Sequence, residues 1–274
     1  MTITRLRSIA GLFVVGTIVA ASFAAAGPAG ANDPWADARN ARPLPPTQWA
    51  RPNFVIGTDT RVKVKDTTIA PYKRVVFIIG QLGSYLYSCS GAMISPNTVA
   101  TAGHCVYNRP SSSAPMQYAT NVRVYPGANA DGPPFGRCNG VALYPSAAWV
   151  DRQAMSYDYA AIKLDCNIGN TVGWFALDTA PDMQIGWTTQ LLGYPADKAT
   201  GSQWTASGII TNITARRVTY NNDTYSGTSG GPVLRKFGTV NKIVAINAYQ
   251  SYFENSGTRI TPAVLSDFNS WIAR

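Results

Sequence analysis

The stretch TVATAGHC, residues 98–105, carries the chain's one histidine at the end of an apolar run. The small residues Ala102 and Gly103 come just before it and allow another segment to approach closely. An isolated histidine is more often a surface or core residue than a chemically active one. His104, however, stands beside Cys105 at the end of an expected strand, which makes it a candidate for a functional role.

A second stretch, TYSGTSGGPV at 224–233, places Ser229 beside three glycines. Alone, such a Gly/Ser/Thr-rich decapeptide is more typical of a turn than of an active site. GTSGG also matches the GxSxG nucleophile elbow of α/β-hydrolases. In that fold the histidine follows the serine along the chain. Because no histidine occurs after residue 104, the chain order excludes an α/β-hydrolase.

Ser229 and His104 fit two members of a catalytic triad. A serine hydroxyl becomes nucleophilic near neutral pH when a base takes its proton and a buried carboxylate orients that base. We predict Asp158 as the acid, because it opens the apolar run DYAAIKL between two tyrosines. The rivals are Asp151, in a polar turn, and Asp165, at the end of the same run. Both rivals are expected to be solvated.

The glycines around the serine indicate a further feature of such a site. Gly227 and Ser229 can point their backbone N–H groups at one spot, which would hold the negative oxygen of a tetrahedral acyl intermediate. These two residues are therefore the expected oxyanion hole. This chemistry requires neither a metal ion nor a cofactor.

Short apolar or alternating runs recur from residue 55 onward, separated by turn sequences such as SPN, NNDT and GPP. At least ten strands at this spacing indicate an all-β sandwich or barrels and not a βαβ sheet. Similar strand counts before and after about residue 168 allow two β subdomains. The runs are RVVFIIGQL (74–82), SGAMI (90–94), TVATA (98–102), NVRVYPG (121–127), YAAIKL (159–164), TTQLLGYP (188–195), QWTASGIITNI (203–213), RRVTY (216–220), GPVLRK (231–236) and KIVAINAY (242–249).

One helix is predicted at the C-terminus, in TPAVLSDFNSWIAR. Thr261 can cap it, and Pro262 occupies the first helical position. One face is apolar and should dock on a sheet; it consists of Val264, Leu265, Phe268, Trp271 and Ile272.

The first 31 residues have the pattern of a secretory signal: two arginines, an apolar run over 9–26, and small residues at 29–31. We expect cleavage after Ala31 and a secreted, extracellular protein. An uncleaved membrane anchor is the alternative that the length of the apolar run permits. Residues 32–54 are proline-rich and lack hydrophobic periodicity, so they are predicted to be a pro-segment or linker outside the fold.

The four cysteines point to two disulfides, because an exported chain meets an oxidising compartment. Cys89 and Cys105 enclose a strand-turn-strand segment, and this pairing leaves Cys138 to bridge with Cys166. Zinc binding is the alternative use of these residues. It is disfavoured because the chain has no CxxC pair and a single histidine.

The chain carries a formal charge of +9, and residues 55–274 carry +6, because residues 1–54 hold five basic and two acidic residues. This excess favours acidic substrates or simply keeps a secreted protein soluble. Basic pairs such as Arg216-Arg217 and Arg235-Lys236 are separated from one another along the chain, and nucleic-acid binding is not expected.

The motifs TAGHC, DYAAIKL and GTSGGPV, in the order His, Asp, Ser, resemble those of the chymotrypsin-like serine proteases. Within that family the chain is similar to the secreted bacterial glutamyl endopeptidase (V8-like) branch. The resemblance implies two antiparallel β-barrels with the active site in the cleft between them. It also implies a protease domain over 55–274 and a mature N-terminus near Val55. The similar segments are VIGTDTRVKVKDTTIAPY (55–72), TAGHCVYN (101–108), LLGYPADKATGSQWTASG (191–208) and DTYSGTSGGPV (223–233).

Two departures from the family pattern concern activation and specificity. In vertebrate digestive relatives an aspartate precedes the catalytic serine and pairs with the new N-terminus. This chain has Thr228 there, so that ion pair is not expected. Glutamyl endopeptidases carry a histidine on the pocket strand after the nucleophile, and in VAINAYQ the matching residue is Asn247.

Two preferences for the residue before the scissile bond stay open. Selection of glutamate would use hydrogen bonds from Asn247 and Thr224 and a free amino group at Val55. Selection of arginine or lysine would use Asp223, six residues before Ser229, where trypsin-like enzymes hold their selecting acid. The V8-like resemblance allows Asp223 to point away from the pocket.

The resemblance implies a secreted serine endopeptidase acting on protein or peptide substrates. We expect a monomer without stable membrane association. The alternative from another class is a protease-shaped binding protein without catalysis. Such proteins usually lack a member of the triad, and this chain has all three.

Overall fold

The apolar runs of the sequence become the strands of two main sheets. The structure is a computed structural model that describes Asp33 and residues 35–44, 55–251 and 253–274. The predicted signal peptide lies outside these ranges. In chain order the strands are β1 (Arg42–Pro43), β2 (Val62–Lys63), β3 (Val75–Leu82), β4 (Tyr85–Ser95), β5 (Thr98–Thr101), β6 (Tyr107–Asn108), β7 (Gln117–Tyr118), β8 (Thr120–Pro126), β9 (Cys138–Pro145), β10 (Ala160–Leu164), β11 (Ala176–Leu177), β12 (Thr188–Gly193), β13 (Trp204–Ile213), β14 (Arg217–Tyr220), β15 (Pro232–Phe237), β16 (Val240–Gln250) and β17 (Asn255–Arg259).

The first sheet runs in the order β1-β4-β3-β8-β9-β10-β5, and a further pairing of β4 with β5 closes it into a barrel. Its long pairings are antiparallel, and the two-residue β1 runs parallel to β4. In the β3–β4 pair, Ile78 lies opposite Cys89 and Val75 opposite Ala92. The side chains of 75–79 are buried, which matches the uninterrupted apolar run that the sequence shows there.

The second sheet runs in the order β11-β16-β15-β12-β13-β14-β17, and β16 also pairs with β17. Strand β2, from before the first barrel, joins this sheet by pairing with β13. The chain passes from one sheet to the other between β10 and β11. The prediction of two antiparallel β-barrels with a C-terminal helix is confirmed.

The helices are short except at the C-terminus: α1 (Ala147–Arg152), α2 (Gly169–Val172) and α3 (Pro262–Ile272). At the start of α3, Thr261 Oγ1 accepts a hydrogen bond from the Val264 N–H at 3.3 Å, as predicted. Val264, Phe268 and Trp271 are buried in the large core cluster, and α3 contacts β5 and β10 of the first barrel. Among the described helices, none has the length and apolar character to cross a membrane.

Each of the ten predicted runs overlaps a strand. Among the strands longer than two residues, β9 and β17 were not predicted. Strand β17 has the polar sequence NSGTR, and its first four residues are buried. Its pairing with β14 and β16 satisfies the backbone, so it needs no apolar alternation to be stable.

The segment before the first barrel differs from its prediction. The sequence places 32–54 outside the fold, yet Trp35 and Ala38 belong to the core cluster and β1 pairs with β4. Trp35 keeps only 4% of its surface exposed. A segment can bury one aromatic side chain and pair two residues without producing a periodic pattern, which is why the sequence does not predict this packing.

Candidate active site

His104 and Asp158 meet through two hydrogen bonds. The His104 backbone N–H donates to Asp158 Oδ1 at 2.8 Å, and His104 Nδ1 lies 2.7 Å from Asp158 Oδ2. Asp158 is fully buried and His104 is 6% exposed. Both carboxylate oxygens are therefore committed to one residue, which fixes the orientation of the imidazole ring and leaves its Nε2 side for other contacts.

The local backbone explains this contact. His104 sits in the one-turn 3₁₀ helix Gly103–Cys105, directly after β5. A Cβ at Gly103 would come within 2.8 Å of the Trp149 ring and 3.0 Å of Asp158 Oδ1. Only glycine therefore lets this turn approach the acid so closely.

Asp158 is held from behind by the second barrel. Its backbone carbonyl accepts a hydrogen bond from Thr258 Oγ1, in β17, at 3.1 Å. Burial raises the pKa of Tyr249, and the nearby Asp158 carboxylate raises it further. Tyr249 therefore stays a neutral phenol beside the acid. Its ring lies 6.4 Å from the His104 ring, centroid to centroid.

The loop around Ser229 depends on two glycines with left-handed backbones. Gly227 has φ +94° and Gly230 has φ +83°. A Cβ at Gly227 would come within 2.6 Å of the Tyr194 carbonyl oxygen, and one at Gly230 would overlap Thr101 Oγ1 and the Ser90 carbonyl. The glycine spacing thus lets the loop press against β4 and β5 of the first barrel.

Ser229 is placed beside the histidine loop by its own carbonyl group. That oxygen accepts a hydrogen bond from the Ser90 N–H at 2.8 Å and lies 3.6 Å from the Cys105 sulfur. Cys105 is the residue after His104, so the serine and histidine loops are in direct contact. Within the described residues no hydrogen bond joins Ser229 Oγ to the His104 ring, and the Nδ1 side of that ring faces Asp158.

The backbone N–H groups of the serine loop divide into two kinds. Thr228 donates to the Tyr225 carbonyl at 3.0 Å, and Gly230 donates to the Asn247 carbonyl at 2.7 Å. The N–H groups of Gly227 and Ser229 donate to no acceptor in the described part of the chain. These two free donors are the pair that the sequence predicts for an oxyanion hole.

Both expected disulfides are present. Cys89 and Cys105 are bridged with a Cα–Cα distance of 6.2 Å, and Cys138 and Cys166 with 6.0 Å. The first bridge ties β4 to the histidine turn. The rival acids lie elsewhere: Asp151 is exposed on α1, and the exposed Asp165 accepts hydrogen bonds from Asn139.

Asn247 and Thr224 lie together beneath the serine loop and are buried. Asn247 Nδ2 donates to the Thr228 carbonyl at 3.2 Å and to Thr224 Oγ1 at 3.4 Å. Its Oδ1 accepts from the Tyr220 hydroxyl at 2.6 Å. Because both amide hydrogens are used, the donor left over in this group is the hydroxyl hydrogen of Thr224.

Asp223 faces the segment that begins at Val55. Its Oδ1 accepts a hydrogen bond from the Ile56 N–H at 2.9 Å, and its Oδ2 accepts from the N–H and hydroxyl of Thr60 at 2.8 and 2.5 Å. The side chain is buried and occupied by these three donors. Val55, the residue before Ile56, is half-buried.

A cavity of about 300 Å³ opens beside Tyr249. Arg217 forms part of its wall and lies over the Tyr249 ring at 5.4 Å. Further lining residues are Met155, Gln250 and Glu254. Tyr249, whose ring lies 6.4 Å from the His104 ring, therefore separates this cavity from the candidate catalytic histidine.

Several residues at the site were not predicted from sequence. Tyr249, Trp149, Tyr220 and Ser90 touch the three candidate catalytic residues or their supports. The only signal for Tyr249 was its place on the pocket strand, two residues after Asn247. The others lie in motifs that resemble ordinary strand or turn sequences, so their role depends on tertiary contacts.

Two groups of side chains in the described residues have the spacing of metal ligands: Cys89, His104 and Cys105, and Cys138, Asp165 and Cys166. In each group the two cysteines are joined in a disulfide, and such sulfurs are not thiolate ligands. One histidine or one carboxylate is left in each group. These residues do not fit a zinc site, so the cysteines serve as structural bridges.

Comparison with known proteins agrees with this geometry. The chain matches the model of the trypsin family over residues 64–272. It is 38% identical over 225 residues to a glutamyl endopeptidase of Bacillus licheniformis, covering 79% of this chain and 68% of that protein. It is 34% identical over 228 residues to a Bacillus subtilis protein named extracellular metalloprotease, covering 82% and 71%. A solved structure of a Glu endopeptidase in complex with MPD superposes with a TM-score of 0.73 at 35% identity, covering 81% of this chain and 100% of that one.

The two barrels and these similarities define a serine endopeptidase, a hydrolase of peptide bonds. The chain belongs to the trypsin family. Within that family it falls in the V8-like branch that contains the bacterial glutamyl endopeptidases.

Proposed function

We propose that this protein is a secreted, monomeric endopeptidase that hydrolyses peptide bonds through Ser229, His104 and Asp158, with a preference for glutamate before the scissile bond. The observation that carries the catalytic assignment is the pair of hydrogen bonds, 2.8 and 2.7 Å long, between His104 and the fully buried Asp158. A surface histidine has no need of a buried carboxylate with both oxygens committed to it.

In the first half of the reaction, Ser229 Oγ attacks the substrate carbonyl and His104 Nε2 takes the hydroxyl proton. Asp158 stabilises the imidazolium that forms. The free N–H groups of Gly227 and Ser229 bind the carbonyl oxygen as it becomes negative. His104 then gives the proton to the leaving amine, the C–N bond breaks, and an acyl ester on Ser229 remains.

In the second half, water replaces the departed amine. His104 takes a proton from the water, the resulting hydroxide attacks the ester, and the same two N–H groups bind the second oxyanion. Return of the proton to Ser229 Oγ releases the carboxylic acid and restores the enzyme. Every proton is thus accounted for by His104, and the mechanism needs no additional group.

The acidic preference is supported by the donors around the pocket. Thr224 has a free hydroxyl hydrogen because Asn247 donates to its oxygen. Cleavage before Val55 would create an α-amino group next to Ile56, which is anchored by Asp223, the neighbour of Thr224 in sequence. That positive charge would pair with a glutamate side chain. Asn247, which stands in place of the histidine of the related enzymes, orients Thr224 and makes no charged interaction itself.

The trypsin-like alternative would need a free Asp223 carboxylate in the pocket. That carboxylate already accepts three hydrogen bonds from Ile56 and Thr60. Using it to bind arginine or lysine would require breaking these buried bonds. We therefore favour glutamate over a basic residue.

The similarity to a protein named metalloprotease raises a metal-dependent mechanism as another possibility. Both groups of candidate ligands in the described residues lose their cysteines to disulfides, as shown above. A catalytic zinc takes three protein ligands and one water. The residues here do not supply such a set, so no step is assigned to a metal.

The catalytic assignment is tested by substitution at the triad and at matched positions outside it. We expect Ser229→Ala to lower kcat by about 10⁶-fold and Asp158→Asn by about 10⁴-fold, as in other serine proteases. Ser207→Ala and Asp151→Asn, at exposed positions, are the matched controls and should retain activity. Hydrolysis that survives Ser229→Ala would contradict the proposal, and a wild type inactive on every peptide would favour a binding protein.

The preference is tested with a peptide library varied at the residue before the scissile bond, with Ser229→Ala as the blank. Intact mass identifies the N-terminus of each sample. Cleavage after glutamate that depends on a free amino group at Val55 would support the acidic pocket. Cleavage after arginine or lysine would instead assign specificity to Asp223.

A further inference from the structure

The segment from Trp35 to Leu44, here the leader segment, is seated on the first barrel by a buried tryptophan. The Trp35 ring packs edge-on against Phe77 and Tyr125, with centroid distances of 5.5 and 5.3 Å. Its Nε1 donates a hydrogen bond to the Asn129 carbonyl at 3.1 Å. A Cβ at Gly201, between β12 and β13 of the second sheet, would overlap the ring, so a side chain there would displace the tryptophan.

Charge holds the segment at a second point. Asp37 Oδ2 lies 2.5 Å from an Arg123 nitrogen and 3.0 Å from one of Arg137. The same oxygen accepts a hydrogen bond from the Tyr125 hydroxyl at 2.9 Å. A peptide whose only role was to connect two parts of the chain would have no need of such specific contacts.

The leader segment also completes a sheet edge. In β1, Arg42 pairs with Tyr87 and Pro43 with Ser88 of β4. At these positions β4 pairs with β3 on its other side, so without β1 this edge would be open. Tyr85 adds a hydrogen bond from its hydroxyl to the Pro43 carbonyl at 2.6 Å. An open strand edge is a ready template for an extended peptide.

This edge lies at the candidate active site. Ser88 precedes Cys89, whose disulfide leads to the histidine turn, and Ser90 donates to the Ser229 carbonyl at 2.8 Å. Beside it, Ala38 and Ala41 of the leader segment line one cavity with Ala196. The Ala196 N–H in turn donates to the Ser226 carbonyl at 2.8 Å, next to the oxyanion glycine.

We propose that the leader segment occupies the part of the cleft that receives substrate residues after the scissile bond, and that it blocks extended substrates until it is displaced. This inference rests on the proposed role of Ser229. Because Ser90 of β4 donates to the Ser229 carbonyl, a peptide that passes Ser229 would continue along β4. β1 already occupies this edge of β4, so the leader segment competes there with the substrate residues that follow the scissile bond.

The test compares two substrates that share the same residues before the scissile bond. One ends in p-nitroanilide, and the other continues for about five residues. For the full chain, Trp35→Ala should raise kcat/KM at least 10-fold on the extended peptide and less than 2-fold on the anilide. Asp37→Asn should act in the same direction and leaves the tryptophan packing intact. Trp174→Ala, at an exposed tryptophan outside the leader segment, is the matched control.

A binding measurement separates this inference from the catalytic proposal. In the Ser229→Ala background, calorimetry measures the Kd of the extended peptide and of the same peptide shortened to end at the scissile position. Weakening the leader segment should tighten only the extended peptide, by 10-fold or more. Equal affinities with and without Trp35→Ala and Asp37→Asn, in samples whose thermal unfolding shows them folded, would overturn the inference. Hydrolysis that persists in Ser229→Ala would instead refute the catalytic assignment and leave the binding result to decide this one.

Discussion

Replacement of Asp223 by asparagine distinguishes an anchor for the N-terminal segment from a selector of basic substrates. In the structure the carboxylate is buried and accepts three hydrogen bonds, from the Ile56 N–H and from the N–H and hydroxyl of Thr60. Asparagine has nearly the same shape but a single acceptor oxygen. We expect Asp223→Asn to destabilise the protein and to lower cleavage of all substrates together.

The magnitude follows from the bonds that asparagine cannot make. With its oxygen in the Oδ2 position, it keeps both donors of Thr60, while its NH₂ group faces the Ile56 N–H. The loss is one hydrogen bond to a charged group and the burial of two opposed donors, about 2–4 kcal/mol in the free energy of unfolding. For a protein of this size each kcal/mol shifts Tm by about 2–4 °C, so Tm should fall by about 5–15 °C.

The assay combines thermal unfolding with the peptide library. Asp131→Asn, an exposed aspartate on the first barrel, is the matched control and should leave both Tm and cleavage unchanged. If Asp223→Asn keeps its Tm but loses cleavage after arginine or lysine alone, the anchor interpretation is refuted and Asp223 lines the pocket.

Three further perturbations test other parts of the structure. Gly103→Ala should lower kcat at least 10-fold with a smaller change in KM, because the added Cβ has no room between the Trp149 ring and Asp158. Steady-state kinetics on a peptide anilide measure both constants. Joint replacement of Cys89 and Cys105 by alanine should lower the free energy of unfolding by about 3 kcal/mol in the chain-entropy model. In a urea titration the variant should lose activity at lower urea than it unfolds, and simultaneous loss of activity and fold would count against a local role of the disulfide. The pKa of Asp59 is held well below its usual range by hydrogen bonds from Arg61, although partial burial opposes this. An aspartate whose pKa is lower in the folded than in the unfolded protein stabilises the fold at pH values above its unfolded pKa of about 4. The difference in unfolding free energy between wild type and Asp59→Asn should therefore shrink as pH falls from about 5 toward 2. A difference that does not change with pH would contradict this prediction.

The residue at position 247 is asparagine, where glutamyl endopeptidases carry a histidine, and this changes the chemistry of the proposed pocket. A histidine in place of Asn247 could meet a substrate carboxylate with a positive charge. Asn247 donates both of its amide hydrogens within the protein, to the Thr228 carbonyl and to Thr224 Oγ1. In the proposed pocket the donor toward the substrate is a neutral hydroxyl, so a positive charge would come from the N-terminal amino group. The proposed acidic preference thus depends on processing before Val55 more strongly than on Asn247.

The sequence by itself determined ten of the strands, the C-terminal helix and the bridging of the cysteines. Strands such as 75–82 and the helix from Pro262 are encoded in local apolar patterns and capping residues, which are readable without tertiary contacts. It also named the residues that the structure brings together at the candidate site. His104 follows β5 and Asp158 precedes β10, and the structure joins the two residues by hydrogen bonds.

Only the tertiary structure decided where polar side chains point and which segments dock. Whether Asp223 faces the pocket or the Ile56 backbone depends on donors 163 or more positions away in the chain. The polar strand β17 and the leader segment are likewise held by pairings and one buried tryptophan that leave no periodic signal. The physical reason is the same in each case: a buried polar group is placed by the partner that satisfies it, and that partner is chosen by the fold and not by its neighbours in sequence.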